Sequence, residues 1–178
     1  MDTITPIISA DDIRRRVREL AEEIDRDYKG SPLTVIGVFN GSFIFLSDLV
    51  RHLKTQCVID FVAAASYGDG TTSGELKLIK RPTVEIEGRR VLIVDDILDT
   101  GRTLALIRDV LRAQKPRDLR ICVFLSKQCK RRVEVHADYI GFDVPDRFVV
   151  GYGLDYAGRY RQLGYVGVVD VEGPRPLA

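Results

Sequence analysis

Apolar positions along this chain follow two rhythms, and the change from one to the other marks out its elements. Residues 33–38, 56–66, 91–94, 119–126, 137–142 and 166–171 are short apolar runs rich in β-branched side chains. Such runs form strands buried on both faces. Ile13, Val17, Leu20, Ala21 and Ile24 recur instead at helical spacing with charges between them. Ser9 or Asp11 can cap that helix, and Gly30-Ser31-Pro32 ends it. Phe45, Leu46, Leu49, Val50 and Leu53 trace a second helix. A third runs from Thr103 to about Ala113, where Pro116 stops it. Strands alternating with helices predict an α/β fold, a doubly wound, mostly parallel sheet flanked by helices. At 178 residues one domain is expected.

The connections carry the chemistry. In VLIVDDILDTGRTL, residues 91–104, an apolar strand runs into Asp95 and Asp96, then Asp99, then Thr100-Gly101-Arg102-Thr103 and a helix N-terminus. In an open α/β sheet, ligands sit in the crevice at the carboxyl ends of the strands. Backbone N–H groups, two Thr hydroxyls and a helix dipole suit a phosphate. Asp95 and Asp96 suit hydroxyls or a hard cation such as Mg²⁺. Together the parts ask for a phosphorylated ribose. Phe39-Asn40-Gly41-Ser42 is a second strand–turn–helix junction and a second oxyanion position, weak by itself. YGDGTTSGE, residues 67–75, joins two strands as a long Gly-rich hairpin. Its composition suits a surface loop and an active-site cover about equally.

Composition narrows the field. Hydrophobic content is 45%, charged content 30% and net charge +1, so no global field favours nucleic acid or a membrane surface. No apolar run nears the ~18 residues of a spanning helix. The N-terminus lacks a basic segment followed by an apolar one, so no signal peptide is expected. Cys57, Cys122 and Cys129 show no CxxC spacing, and Cys57 and Cys122 lie in apolar runs. These features fit a reduced, cytoplasmic protein. His52 and His136 have no ligand-like spacing. Lys127 stands at the end of a strand and opens the basic run KQCKRR, which reads as a solvated face beside an anionic substrate. A P-loop, GxxxxGK[ST], is absent.

Asn40-Gly41-Ser42, Ser66-Tyr67 with its Gly-rich loop, the 95–103 stretch and the carboxyl-terminal GFDVPDRFVVGYGLDYAGRYR occur in that order. This constellation resembles the type I phosphoribosyltransferases and, through its last segment, the hypoxanthine (-guanine) phosphoribosyltransferases. The resemblance covers nearly the whole chain. It implies transfer of the phosphoribosyl group from phosphoribosyl pyrophosphate to a 6-oxopurine, through a transition state like a ribosyl oxocarbenium ion. It also implies Mg²⁺ as cofactor and a homodimer or homotetramer, with no nucleic-acid or membrane partner. A lid would span about residues 66–76, anchored by Ser66 and Tyr67, and the N- and C-terminal segments would form a small hood.

Residue roles follow from the same resemblance. Asp99, Thr100, Gly101, Arg102 and Thr103 would cradle the 5′-phosphate, and Asp99 would be the general acid/base at purine N7. Asp95 and Asp96 would hold the ribose hydroxyls, directly or through Mg²⁺. Relatives often carry Glu where Asp95 stands. Lys127 would bond the purine 6-oxo group, since an ammonium is a donor only. Phe148 would stack on the base, with Val149 at its edge. Asp155 would lie near the purine and help hold Mg²⁺ through water. Asn40, Gly41, Ser42 and Arg161 would meet the pyrophosphate, with a cis Phe39–Asn40 peptide in the turn. Some relatives have Lys or Arg where Asn40 stands. The alternative within the superfamily is an RNA-binding attenuator of pyrimidine genes, which usually lacks an acid matching Asp99.

Overall fold

The computed structural model describes residues 3–67, 75–127 and 131–170. Six strands form the main sheet: β2 (Leu33–Phe39), β3 (Cys57–Tyr67), β4 (Glu75–Lys80), β5 (Arg90–Leu98), β6 (Asp118–Lys127) and β7 (Tyr139–Val144), in the order β4-β3-β2-β5-β6-β7. All neighbours pair in parallel except β3 and β4, which form an antiparallel hairpin. β1 (Thr3–Ile8), β8 (Val149–Val150) and β9 (Val166–Asp170) form a second, antiparallel sheet with β9 in the middle. The alternation of strand and helix read from the sequence is not continuous along the chain. Among the described residues three helices serve nine strands, and the described part of the β6–β7 connection contains no helix.

Helix α1 (Ala10–Tyr28) starts at Ser9, whose hydroxyl accepts from the Asp12 N–H at 3.1 Å. Helix α2 (Phe43–His52) follows the turn after β2, and α3 (Arg102–Arg112) follows the loop after β5. The apolar runs divide by parity, as a pleated strand requires. Leu92 and Val94 of β5 pack in one core with Leu20, Ile24, Phe45 and Leu49 of α1 and α2. Val91 and Ile93 pack in the other with Leu104, Ile107 and Leu111 of α3. Both faces of β5 are therefore buried, and its carboxyl end is held rigidly where the polar loop begins. On the outer strand β7, Arg16 of α1 donates to the carbonyls of Ile140 (2.8 Å) and Gly141 (3.0 Å).

Asp60 of β3 is buried and ties the segment after β4 to the sheet. Its carboxylate accepts from the N–H groups of Phe61 (2.7 Å), Thr83 (2.5 Å) and Val84 (2.9 Å) and from the Thr83 hydroxyl (3.0 Å). Burial alone would raise its pKa, but these bonds outweigh burial and hold the carboxyl well below its ordinary value of 3.8. Asp60→Ala is expected to lower unfolding free energy by about 2–4 kcal/mol, because the amides lose a charged acceptor. The wild-type advantage is present above pH 3.8 and is lost as pH falls through the depressed pKa. Denaturant unfolding of both proteins across that acid range checks the effect and its sign.

Cys57 is half-buried in β3 and Cys122 is buried in β6, the strand positions read from the sequence; Cys129 lies outside the described residues. Among those residues no helix is long and apolar enough to cross a membrane.

Candidate active site

A cleft of about 720 Å³ opens at the carboxyl ends of β2 and β5. Gly41, Asp95, Asp96 and the whole of 99–103 line it. The strand extends past the paired acids: Asp95 and Asp96 lie within β5, which ends two residues later at Leu98. Strand pairing continues through Asp95 opposite Val123, which fixes the acids on the sheet.

Beyond Leu98 the chain turns into α3, which starts at Gly101 without a side-chain cap. The first-turn N–H groups of Thr103 and Leu104 have no helical acceptor, and both residues line the cleft. Gly101 has φ +84°, and a Cβ there would lie 2.4 Å from the Val133 carbonyl oxygen. The loop thus needs glycine to close against the segment after β6. Thr100 and Thr103 are half-buried at its rim.

Lys127, at the end of β6, donates to the Asp99 carboxylate at 2.9 Å and lies 3.8 Å from Asp146. Asp146 stands in the turn before Phe148, so the chain enters the small antiparallel sheet beside Lys127. Phe148 meets Tyr156 edge-on, with ring centroids 5.4 Å apart. Val149 is buried opposite Val168 in the small sheet.

On the other side of the cleft, the Phe39–Asn40 peptide is cis, as the resemblance implies. Asn40 is exposed. Ser42 is fully buried and donates to the Val38 carbonyl at 2.6 Å, so its hydroxyl shapes the turn. The segment after β8 meets this turn at Gly153, and Arg161 braces that contact. Its guanidinium donates to the Gly153 carbonyl (2.6 Å) and pairs with Asp155 (2.7 Å). The backbone of Gly153 in turn lies against the Gly41 carbonyl. Asp155 also accepts from the Gly158 N–H at 2.7 Å. The structure therefore ties Asp155 to Arg161 and does not gather it with Asp95 and Asp96. Among the described residues no cluster of three metal-ligating side chains forms. Ser66 and Tyr67 end β3 opposite Leu76 and Glu75, and residues 68–74 of the expected lid lie outside the described residues.

Burial first and the Asp96 charge next push the Asp95 carboxyl well above the usual range. Burial also raises Asp96, against the favourable field of Arg161. A buried carboxylate beside a half-buried one calls for a cation or hydroxyl donors. Mg²⁺ characteristically takes one or two carboxylates and fills its remaining positions with water and phosphate oxygens, so the donor set fits that ion. Asp95→Asn removes one buried charge and supplies an amide donor toward Asp96. The unliganded variant is expected to gain about 1 kcal/mol, or roughly 3 °C in Tm, at neutral pH. Activity is expected to fall in the same variant. A thermal melt showing a lower Tm would contradict this.

Sequence reasoning missed two residues. Arg132 lines the cleft beside the 99–103 loop. Arg131, assigned with it to a solvated face, is half-buried and bonded to the loop. Nothing in the basic run distinguishes an inward arginine from outward ones.

The phosphoribosyl transferase domain model matches residues 9–157 of this chain. The chain belongs to the phosphoribosyltransferase family. Within that family it groups with the hypoxanthine (-guanine) enzymes. The hypoxanthine-guanine phosphoribosyltransferase of Aquifex aeolicus is 46% identical over 92% of this chain and 93% of its own length. The bifunctional protein TilS/HprT of Listeria monocytogenes is 44% identical over 93% of this chain, which spans only 26% of that longer protein. A crystal structure of a Bacillus anthracis hypoxanthine-guanine phosphoribosyltransferase superposes with a TM-score of 0.89 at 40% identity, covering 96% of this chain and 100% of that one.

Proposed function

We propose that this phosphoribosyltransferase moves the 5-phosphoribosyl group from phosphoribosyl pyrophosphate to hypoxanthine, and to guanine, releasing pyrophosphate and forming IMP or GMP in purine salvage. The observation that carries the reading is the Lys127–Asp99 contact of 2.9 Å at the mouth of the phosphate cleft. It brings a donor suited to a 6-oxo group beside a carboxylate that can manage a purine proton. Both stand next to a loop built for an oxyanion. The names of the matching relatives support the same activity and do not favour the RNA-binding attenuator.

In this reading the amides and hydroxyls of 99–103 hold the 5′-phosphate. Asp95 and Asp96 hold the ribose hydroxyls. Asp95 and Asp96 would hold Mg²⁺, with Asp155 reaching the ion only through water, and the bound ion would supply positive charge against the pyrophosphate. Arg161 and the backbone of Asn40, Gly41 and Ser42 receive the pyrophosphate. Phe148 stacks on the purine, Val149 and Asp155 flank its edge, and Lys127 bonds its oxygen. Asp99 exchanges a proton with N7, for which a carboxylate serves when its pKa approaches that of the base. The hood and the lid rooted at Ser66 and Tyr67 close over the cationic transition state and exclude water. Phe43 of α2, 44% exposed, supports assembly as a homodimer or homotetramer through that helix.

The test is a steady-state assay with phosphoribosyl pyrophosphate, Mg²⁺ and each of hypoxanthine, guanine, xanthine and adenine. Turnover of 6-oxopurines without adenine is expected. No turnover with any purine would overturn the reading.

A further inference from the structure

Residues 131–133, just past Lys127, have no role in the reaction described so far. The structure turns one of them toward the loop. Arg131 sits behind the phosphate loop. Its Nη1 donates to the carbonyls of Leu98 (2.7 Å) and Asp99, and its Nη2 donates to the Ser126 hydroxyl at 3.0 Å. The next two residues continue the grip, since the N–H groups of Arg132 and Val133 both donate to the Thr100 carbonyl at 3.0 and 3.2 Å. Three consecutive carbonyls, 98 to 100, are thus held by three consecutive residues, 131 to 133.

Those carbonyls belong to the peptide units where β5 ends and the loop begins. A peptide unit is planar, so fixing its oxygen also fixes where the opposite N–H points. The grip therefore sets the direction of the loop amides and the starting point of the Asp99 side chain. Ser126 adds a second consequence, because it immediately precedes Lys127. One guanidinium bonds both the backbone of Asp99 and the neighbour of Lys127, the two residues whose side chains meet at 2.9 Å. A planar fork with several donors can span such acceptors at once; an ammonium on a flexible stem cannot.

We propose that Arg131 is a positioning residue that holds Asp99 and the phosphate loop in register with Lys127. The inference rests on the transferase reading above. Arg131→Met, Arg131→Lys and the lighter Ser126→Ala are compared with the wild type in two measurements. Steady-state kinetics varies phosphoribosyl pyrophosphate and hypoxanthine separately. Calorimetry titrates phosphoribosyl pyrophosphate alone, without turnover. Wild-type turnover tests the transferase reading by itself. If it failed, the calorimetric comparison would still decide whether Arg131 positions the loop.

Arg131→Met is expected to bind phosphoribosyl pyrophosphate more weakly. Its kcat/KM for that substrate should fall about 10²-fold, the scale of a misplaced catalytic group. KM for hypoxanthine should move little. Arg131→Lys should recover part of the loss, and Ser126→Ala should show a smaller shift in the same direction. A mere structural brace would lower both substrates' parameters together with no recovery in Arg131→Lys, and that result would overturn the proposal. So would unchanged affinity and kcat in Arg131→Met. Should Arg131→Met fail to fold, Arg131→Lys and Ser126→Ala carry the same comparison.

Discussion

Asp99→Asn is expected to lower kcat by about 10²- to 10⁴-fold, the range for a positioned acid or base, with phosphoribosyl pyrophosphate affinity near wild type. The amide has the size of the carboxylate, so the loop has no steric reason to move. Arg131 holds the carbonyls of Leu98 and Asp99 and does not depend on the Asp99 side-chain charge. The lost property is the ability to take up and return a proton. The substitution also removes the nearer anionic partner of Lys127 and leaves Asp146 at 3.8 Å. Hypoxanthine KM is therefore expected to hold steady or fall, because the base no longer displaces the closer ion pair. Rapid-mixing or steady-state absorbance gives kcat, and calorimetry gives the affinity. Near-normal turnover would remove Asp99 from the acid/base role.

A loss that acts through binding is expected of Gly41→Ala. A Cβ at this position would stand 1.6 Å from Asp96 Oδ2 and 2.4 Å from its Cγ. No rotation of a methyl relieves such an overlap, so either the carboxylate or the turn is displaced. The carboxylate is on a strand buried on both faces, and the turn also supports Gly153 through its own carbonyl. Either shift separates the proposed ribose and pyrophosphate contacts. A fall in kcat/KM for phosphoribosyl pyrophosphate of about 10²-fold or more is expected, with stability reduced by about 1–3 kcal/mol, as for an overpacked site. Gly164→Ala is the control. A Cβ there meets nothing within 4 Å, and wild-type kinetics are expected. Wild-type kinetics in Gly41→Ala would show that the turn yields without consequence.

The parts of this molecule that were legible in its sequence are those whose cause is local. β5 and its loop are written in one continuous stretch: apolar alternation, acids, small polar residues and then helical spacing. Lys127 is legible because strand β6 ends there. β1 is not. Its residues 3–8 include Pro6, and its partner β9 lies at the far end of the chain. Pairing across that separation leaves no periodic trace in a six-residue segment. Arg131 escaped for a similar reason. Its acceptors are backbone carbonyls thirty-odd positions earlier, and a carbonyl carries no residue identity. Asp155 shows the opposite limit. Its place in the terminal segment points toward a metal, but only coordinates reveal the Arg161 guanidinium that holds it.

Every open sheet offers its outer strands as templates on which a second polypeptide can add a strand and begin to aggregate. Here each outer strand carries a different deterrent. β1 has Pro6, which withholds a donor, and a register irregularity between Pro6 and Ile8. β8 has only the residues Val149 and Val150, too short to seed a ladder. β4 carries Lys77 and Lys80, charges that would be desolvated by an incoming chain. On β7 the guanidinium of Arg16 already occupies the carbonyls of Ile140 and Gly141. A helix residue far from the chemistry thus keeps the sheet that carries the chemistry from polymerising.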